Sequence, residues 1–394
     1  MDPTRELILL RSSFSPLPAT PQIPLPFTFD NQIYQFNSDI KLGTEMPTAI
    51  FVDLESYNRL QNNKDKFANP KFKQIRLVSN PFEQIGNSIF MNRAAIKLAN
   101  IDAILRLTNH TGGYLAQQTP GKFSFCDLAG GPGAWTQYIQ YRRSNSHGFG
   151  ITLKPENIPG DAKEAQKLGW DTDKLDLDIF TISYGEDGTG NLYTNGPAFA
   201  SFVKKTEVLG VDLVMADGGF EIKAGEERYQ EPLTARLILS EVLTGLMSLR
   251  IGGNMVIKVY DTVTKFMADL LFIVASCFEA IWLFKPISSR PANAEKYLVA
   301  KGLKGNIEEY TALLLQAYSL YTNELSVVQL VAQLPPNFVA WLTEMNNLHL
   351  NEQHIAVDHA LALLEGRPSS MPSYNLHKAL ILWNLPGNVP RDQV

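Results

Sequence analysis

Hydrophobic segments alternate between strand and helix patterns from Lys122 to Gly302, and this alternation most limits how the chain can fold. Seven apolar runs are separated by segments with helical spacing, the longest of them near residues 230–250: FSFCDL, GFGITL, LDIFTI, VDLVMAD, GGNMVIKVY, AIWLFKP and KYLVAKG. Strands that alternate with helices pair mostly in parallel and are covered on both faces. The pattern therefore predicts an α/β fold with a seven-stranded, mostly parallel sheet. Ligands bind such sheets at the carboxyl ends of the strands.

The residues outside this alternation have a different character. Residues 1 to about 45 are rich in proline and polar residues without a sustained helical period, which predicts an irregular arm with few core residues. After Gly302 the spacing becomes helical and ends at HKALILWNLPG. We therefore divide the chain into an arm with a basic segment (1–75), an α/β domain (76–304) and a C-terminal helical extension (305–394).

Composition excludes several classes of protein. Of the 394 residues 45% are hydrophobic, and only two are cysteines, Cys126 and Cys277. Two cysteines in separate apolar runs indicate neither a disulfide framework nor a zinc site, and we expect no metal. The start, MDPTRELILLRSS, lacks the pattern of a signal peptide, and the most apolar segment (266–284) is interrupted by Asp269 and Glu279. We therefore expect neither export nor a membrane span.

The overall charge is acidic, but one segment is basic. A net charge of −5 means that any contact with nucleic acid must come from a local patch. The segment KDKFANPKFKQIR, from Lys64 to Arg76, carries five basic residues against one acidic residue, with Phe67 and Phe72 between them. In isolation an exposed charged loop would explain it. Its position before the motifs described next favours a contact with nucleic acid.

A glycine-rich turn follows the first predicted strand of the domain. In FCDLAGGPGAWTQYI (125–139) the strand ends in Asp127 and a helix begins near Pro132. Glycines at 130, 131 and 133 let the backbone approach a ligand, and Asp127 can accept hydrogen bonds from ligand amino groups or hydroxyls. The turn lacks the glycine spacing of dinucleotide-binding and phosphate-binding loops. Neither a dehydrogenase nor a phosphate-loop NTPase is therefore favoured.

Ionisable residues stand near the ends of other predicted elements. Lys97 lies in MNRAAIKLAN, Asp217 ends VDLVMAD, Lys258 lies in MVIKVY, and Glu295 comes just before the last strand. Asp217, Lys258 and Glu295 can converge at one edge of a sheet of this type. A single lysine after a strand is usually solvated surface, whereas a group of ionisable residues at a binding edge is typical of a functional site.

These motifs together resemble one family, the FtsJ-like ribose 2′-O-methyltransferases. The glycine-rich turn resembles the family's D-L-x-x-x-P-G-x-[WF] loop, and Lys97, Asp217, Lys258 and Glu295 match its Lys-Asp-Lys-Glu tetrad in order. The phrases IFMNRAAIKLAN, GFGITLK, MADGGF and LFKPISSRPANAEKYLVAKGLK are similar to the cap-specific messenger-RNA enzymes of eukaryotes and large DNA viruses. The similarity runs from about Asn80 to Lys304, and weakly on to LWNLPG.

The resemblance implies a Rossmann-like class I methyltransferase fold and a reaction. The expected enzyme uses S-adenosylmethionine to methylate the ribose 2′-hydroxyl of the first transcribed nucleotide of capped messenger RNA. Lys258 would act as general base, Asp217 and Glu295 would orient it, and Lys97 would stabilise developing negative charge. Burial, Lys97 and the positive sulfonium of the cofactor are expected to lower the pKa of Lys258.

The resemblance also implies binding residues. The expected cofactor contacts are Asp127, Gly130, Gly131, Pro132, Gly133, Trp135, Asp187, Asn191 and Asp217. The family has an acidic residue after its third strand, and either Asp187 or Asn191 takes its place here. The expected substrate contacts are Arg76, Asn92, Arg93, Glu226, Ser289 and Arg290, with Glu226 for the methylguanine of the cap and Arg76 for its phosphates.

Two other functions stay open at this point. Methylation of internal riboses in ribosomal or transfer RNA uses the same tetrad, and an inactive relative would only bind RNA. The expected partner is the 5′ end of capped messenger RNA, and the sequence does not specify a partner in the capping or transcription machinery. We expect no membrane contact and no secretion. The expected location is the nucleus for a cellular protein, or the cytoplasmic viral factory or virion for a viral one.

Overall fold

A seven-stranded sheet forms the centre of the computed structural model. The model describes residues 25–29, 37–67, 69, 71–72, 74–75, 81–85, 89–108, 122–158, 161–220, 222, 226–371 and 376–386. The strands of this sheet are β2 (Phe123–Leu128), β3 (Ser146–Ile151), β4 (Phe180–Ser183), β5 (Val211–Ala216), β6 (Leu249–Tyr260), β7 (Phe278–Phe284) and β8 (Glu295–Leu303). Their order is β4-β3-β2-β5-β6-β8-β7, and β8 alone among them runs opposite to the other six strands. The predicted α/β fold is confirmed.

Helices cover both faces of the sheet. They are α1 (Leu54–Lys64), α2 (Ala94–Leu105), α3 (Ala134–Arg142), α4 (Ala162–Leu168), α5 (Leu192–Thr206), α6 (Gln230–Ser248), α7 (Lys265–Cys277), α8 (Glu308–Leu320), α9 (Pro336–Leu364) and α10 (Leu376–Leu382). Helices α5 to α9 build the hydrophobic core on one face, and α2, α3 and α10 build the core on the other. Nearly continuous apolar strands, buried on both faces, are what a parallel sheet requires.

The two ends of the described chain pair with each other. Strand β1 (Ser38–Gly43) pairs antiparallel with β9 (Ser326–Val331), and Phe27 forms a β-bridge to Ile281 on the edge strand β7. The predicted arm therefore supplies a strand and a buried phenylalanine, and the predicted helical extension contains a strand. The sequence analysis predicted neither strand. The boundaries at residues 75 and 304 stay predictions.

The reversed direction of β8 shapes one edge of the sheet. Parallel strands β2 and β5 bring Asp127 and Asp217 to their carboxyl ends, and Lys258 lies two residues before the end of β6. Because β8 runs the other way, its first residue, Glu295, pairs with Tyr260 at the end of β6. A residue from the beginning of one strand thus joins residues from the ends of three others.

Candidate active site

Four ionisable side chains meet at this edge, of which Lys97 and Glu295 are buried and Asp217 and Lys258 are partly buried. Lys97, from α2, donates to Glu295 at 2.9 Å and lies 3.9 Å from Asp217 Oδ2. Lys258 Nζ lies 3.3 Å from Asp217 Oδ1 and donates to the backbone carbonyl of Asp217 at 2.8 Å. The structure thus brings together the four residues that the sequence analysis placed in a tetrad.

Two hydroxyl groups donate to the two carboxylates, and a third lysine donates to the backbone of Glu295. The Ser289 hydroxyl donates to Glu295 Oε1 at 2.6 Å, and the Tyr297 hydroxyl donates to Asp217 Oδ1 at 2.8 Å. Lys285 Nζ donates to the backbone carbonyl of Glu295 at 2.7 Å. Ser289 was predicted to contact substrate, and here it is buried against the tetrad. Tyr297 and Lys285 were not predicted, because their roles depend on contacts across the sheet edge.

The pKa of Lys258 is shifted in the direction opposite to that expected from the sequence. Burial alone would lower its pKa, but the negative charges of Asp217 and Glu295, together with Tyr260, outweigh burial and raise the pKa well above its usual value. Burial would raise the pKa of Glu295, but Lys97 and Lys258 hold it well below its usual range. The expectation of a lowered lysine pKa is therefore wrong for the protein without ligands. At neutral pH the Lys258 amine is protonated.

The glycine-rich turn lies beside the tetrad. Asp127 is fully buried, and its Oδ2 accepts from the Thr136 hydroxyl at 2.7 Å, while its Oδ1 has no hydrogen-bond partner among the described residues. Burial raises the pKa of Asp127 to about 7, against the hydrogen bonds from Thr136. A Cβ on Gly130 would stand 2.3 Å from the Asp127 carboxyl carbon. A side chain at this position would therefore collide with the carboxylate.

The rest of the turn is held by its neighbours. Gly133 has a φ of 110° and precedes α3, and a Cβ on Gly131 would stand 2.0 Å from the carbonyl oxygen of Leu168. Pro132 lies between the two glycines and accepts, through its carbonyl, from the Asp171 amide. The indole of Trp135 is buried and donates to the Ala94 carbonyl at 2.8 Å, which ties α3 to α2.

The two candidates for the acidic position use their side chains inside their own loop. The Asp187 carboxylate accepts hydrogen bonds from Thr189, Thr194 and Asn195, and these bonds hold its pKa well below its usual range. Asn191 caps α5 by accepting from the Tyr193 amide at 3.0 Å. The choice between Asp187 and Asn191 as a ligand contact stays open.

A carboxylate that the sequence analysis did not single out joins two of the predicted substrate residues. Glu83 accepts from Arg290 at 2.6 Å and also from Arg93, and the charge of Arg93 interacts with Glu295. Asn92 accepts from the Ala94 amide at the start of α2. The remaining predicted phosphate contact, Arg76, lies outside the described residues.

The turn that contains Glu226 meets the beginning of the basic segment. Arg228 forms an ion pair with Asp65, and Lys64 Nζ donates to Gln353 on α9 at 2.6 Å. Glu226 is exposed at the start of the turn. The rings of Phe67 and Phe72, within the basic segment, stack with centroids 4.0 Å apart. The turn with Glu226 and the beginning of the basic segment, which are far apart in sequence, therefore lie side by side.

The described part of the chain has neither a cluster of metal ligands nor a helix that could span a membrane. No three or more histidine, cysteine, aspartate or glutamate side chains there are grouped as ligands for a metal ion. None of the described helices has the length and apolar character needed to cross a membrane.

The fold and this edge define a class of protein. Residues 90–303 match the FtsJ-like methyltransferase family, and the chain belongs to it. The chain is 34% identical over 340 residues to "Cap-specific mRNA (nucleoside-2'-O-)-methyltransferase 1" of Homo sapiens. This alignment covers 80% of this chain and 40% of that protein. The Danio rerio protein of the same name is 38% identical over 253 residues, 61% of this chain and 29% of that protein. The chain thus spans about 40% or less of the length of these relatives.

Among solved structures, a ribosomal RNA methyltransferase from Plasmodium falciparum aligns with 55% of this chain and all of its own, at 18% identity and a TM-score of 0.38. That similarity is too low to support an inference.

Proposed function

We propose that this chain methylates the ribose 2′-hydroxyl of the first transcribed nucleotide of capped messenger RNA, with S-adenosylmethionine as methyl donor. The observation that carries the proposal is the tetrad, in which each lysine lies 2.9 to 3.9 Å from a carboxylate oxygen. Membership of the FtsJ-like methyltransferase family supports the methyl transfer. Relatives at 34–38% identity whose names specify the messenger-RNA cap support the choice of substrate.

The residues around the glycine-rich turn fit S-adenosylmethionine. The cofactor has an amino group and ribose hydroxyls that donate hydrogen bonds, and Asp127 Oδ1 is a buried acceptor without a partner among the described residues. When bound, the cofactor supplies a methyl group on a positively charged sulfonium. The residues proposed to hold it are Asp127, Gly130, Gly131, Pro132, Gly133 and Asp217, with Trp135 supporting the turn and Asp187 or Asn191 as a further contact.

Lys258 is the proposed general base. Its Nζ would take the proton of the ribose 2′-hydroxyl as that oxygen accepts the methyl group that the bound cofactor would supply. The amine must first lose its own proton, because its carboxylate neighbours raise its pKa. A positive charge bound nearby would favour that loss. Asp217 and Glu295 orient the amine, and Lys97 stabilises the negative charge that develops on the ribose oxygen.

One assay tests this proposal directly. Transfer of tritiated methyl groups is measured to two transcripts of identical sequence, one with an N7-methylguanosine cap and one with a 5′ triphosphate. We expect label on the capped transcript only, at the first transcribed ribose. Equal labelling of both transcripts, or label at internal riboses, would replace the cap assignment with a more general RNA ribose methyltransferase. No labelling of any RNA would indicate an inactive RNA-binding relative.

The Asp127 carboxyl should make protein stability depend on pH, and it should also contribute to cofactor binding. Its pKa is about 7 in the folded protein and about 3.9 in an unfolded chain, so the folded state binds more protons between those values. The contribution of Asp127 to stability is therefore complete below about pH 4 and is lost as the pH rises through 7. Asp127→Asn should raise the unfolding midpoint at pH 8, leave it unchanged near pH 4, and weaken cofactor binding.

Thermal unfolding from pH 4 to 8 and calorimetric titration with S-adenosylmethionine measure these effects. Asp178→Asn, at an exposed position, is the control and should change neither quantity. If the Asp127→Asn protein showed the wild-type dependence of stability on pH, the carboxyl would not titrate in this range.

Glu226 is proposed to accept hydrogen bonds from the guanine of the cap. The ion pair between Arg228 and Asp65 places its turn beside the basic segment, and Phe220 and Tyr229 are large exposed aromatics nearby in sequence. A carboxylate can accept from the guanine N1 and N2 groups, and an aromatic face can hold the charged methylated base.

Glu226→Ala should raise KM for capped RNA about tenfold and leave kcat and cofactor affinity unchanged, since one charged hydrogen bond contributes about 1.5 kcal/mol. Steady-state kinetics on capped transcripts measure the change. Glu309→Ala, on the exposed side of α8, is the control. A wild-type KM in the Glu226 variant would leave this residue as solvated surface.

The domain division and the location follow the same proposal. We propose an arm with a basic segment (1–75), a methyltransferase domain (76–304) and a C-terminal extension (305–394). The proposed partner is the 5′ end of capped messenger RNA. The proposed location is where such caps are made, the nucleus for a cellular protein.

A further inference from the structure

Tyr297 lies at the centre of the tetrad. The residue is fully buried on β8, and its hydroxyl donates to Asp217 Oδ1 at 2.8 Å. Lys258 approaches the same oxygen at 3.3 Å, and Lys97 approaches the other carboxylate oxygen at 3.9 Å. Of these three donors, the uncharged phenol makes the shortest contact with the Asp217 carboxylate. The ring also lies beneath Lys97, with Nζ 6.0 Å from its centroid.

The short contact changes what Asp217 can do to its lysine neighbour. A carboxylate oxygen that accepts one short hydrogen bond carries less charge density toward a second donor. Lys258 accordingly makes its shorter bond, 2.8 Å, to the backbone carbonyl of Asp217 and the longer one to the carboxylate. A carboxylate that bonded Lys258 alone would hold the ammonium form more strongly.

We propose that Tyr297 is a positioning residue of the methyl transfer. Its hydroxyl fixes Asp217 and reduces the negative charge that this carboxylate presents to Lys258, so that the lysine releases its proton more readily. This inference rests on the proposed function, in which Lys258 is the general base. Tyr297 touches neither substrate nor methyl group and acts through Asp217.

Other ionisable groups surround Lys258 and its partner Asp217. They are Lys97 on α2, Asp127 on β2, Glu241 on α6, Tyr260 on β6 itself, and Glu295 and Tyr297 on β8. Glu241 is fully buried, and burial raises its pKa well above the usual range, so it adds little charge. Tyr260 interacts with the lysine itself. Tyr297 is the hydroxyl in this group that donates to Asp217.

The dependence of kcat on pH separates this role from a merely structural one. For the wild type, kcat should rise with pH as Lys258 loses its proton. Tyr297→Phe removes the hydroxyl and keeps the ring. We expect the acidic limb of this variant's profile of kcat against pH to move upward by about one pH unit. This shift is a loss of about tenfold in kcat at neutral pH. The KM values for capped RNA and S-adenosylmethionine should stay within about twofold, because ground-state binding is unchanged. At high pH the two rates should converge.

A second tyrosine provides a matched control. Tyr138 is also buried, and its hydroxyl donates to Asp102 at the same distance, 2.8 Å, away from the tetrad. Tyr138→Phe should reduce stability about as much as Tyr297→Phe and keep the wild-type pH profile. If both variants kept the wild-type profile, Tyr297 would be structural only and the inference would be overturned.

A second variant, with a smaller chemical change at Tyr297, tests the inference if the Tyr297→Phe protein does not fold. Replacing Tyr297 with 3-fluorotyrosine preserves the hydroxyl and makes it a stronger donor, so the acidic limb should move to lower pH. An unmoved limb overturns the inference. Lys258→Ala separates this failure from that of the proposed function. Substantial turnover by Lys258→Ala would remove the assignment of Lys258 as the base. If Lys258→Ala is inactive and the pH profiles of both Tyr297 variants are unchanged, only the role of Tyr297 is removed.

Discussion

Replacing Lys258 with alanine should abolish methyl transfer, with kcat reduced by about 10³-fold or more, while the affinity for S-adenosylmethionine stays within a few-fold. A positioned general base contributes a factor of this size, and Lys258 is the amine held between the carboxylate and the carbonyl of Asp217. The proposed role is toward the ribose hydroxyl and not the cofactor, which is why binding should persist. Single-turnover transfer of tritiated methyl groups and calorimetric titration measure the two quantities.

A lysine at the other end of the sheet is the control. Lys301, on β8, donates to the Leu105 carbonyl and pairs with Asn254 on β6, away from Tyr260 at the end of that strand. Lys301→Ala should keep most of the wild-type rate. Substantial turnover by Lys258→Ala across the pH range would remove this lysine as the base. A parallel loss of cofactor binding would instead place Lys258 among the cofactor contacts.

Replacing Gly131 with valine should reduce cofactor affinity by more than about 100-fold. A Cβ at this position would stand 2.0 Å from the Leu168 carbonyl oxygen and 3.2 Å from the Thr152 methyl group. The backbone carbonyl cannot move aside as a flexible side chain would, so the turn itself must shift. A shifted turn loses the close approach that its glycines provide. Calorimetric titration with S-adenosylmethionine measures the loss.

Gly305→Val makes the same chemical change where there is room for it. A Cβ on Gly305 would meet only the Ile251 side chain, at 3.5 Å. This variant should bind cofactor as the wild type does, and circular dichroism should show that both valine variants are folded. Wild-type affinity in a folded Gly131→Val protein would mean that this turn does not hold the cofactor.

The main sheet could be predicted from the sequence because its strands carry local signals. Each is a short apolar run bounded by turns or by helical spacing, and all seven strands were found where the pattern predicted them. Strands β1 and β9 were missed, because SVVQLV lies between two helical segments and its partner is almost the whole chain away. The helical spacing after Gly302 corresponds to α8, α9 and α10.

The site was predictable only where topology determines it. The carboxyl ends of parallel strands meet at one edge whatever the side chains do, so the convergence of Asp217 and Lys258 follows from the pattern of strands. Glu295 joins them because β8 runs antiparallel to β6. The contact of Glu83 with two arginines and that of Tyr297 with Asp217 depend on side chains from distant segments. The direction of the pKa shift of Lys258 was predicted wrongly, since burial and nearby carboxylates oppose each other and their distances decide the result.

The pairing of β1 with β9 also sets an order of events during synthesis. The hydrogen bond from Gln329 to Asp39 spans 290 residues of sequence. On a ribosome that adds about 5 to 20 residues per second, the first strand waits roughly 15 to 60 s before its partner exists. During that interval the edge of β1 is unpaired, and unpaired edges are open to association with other chains. Contacts of such long sequence separation also slow folding. The two-stranded sheet can therefore form only late, after all seven strands of the main sheet have been synthesised.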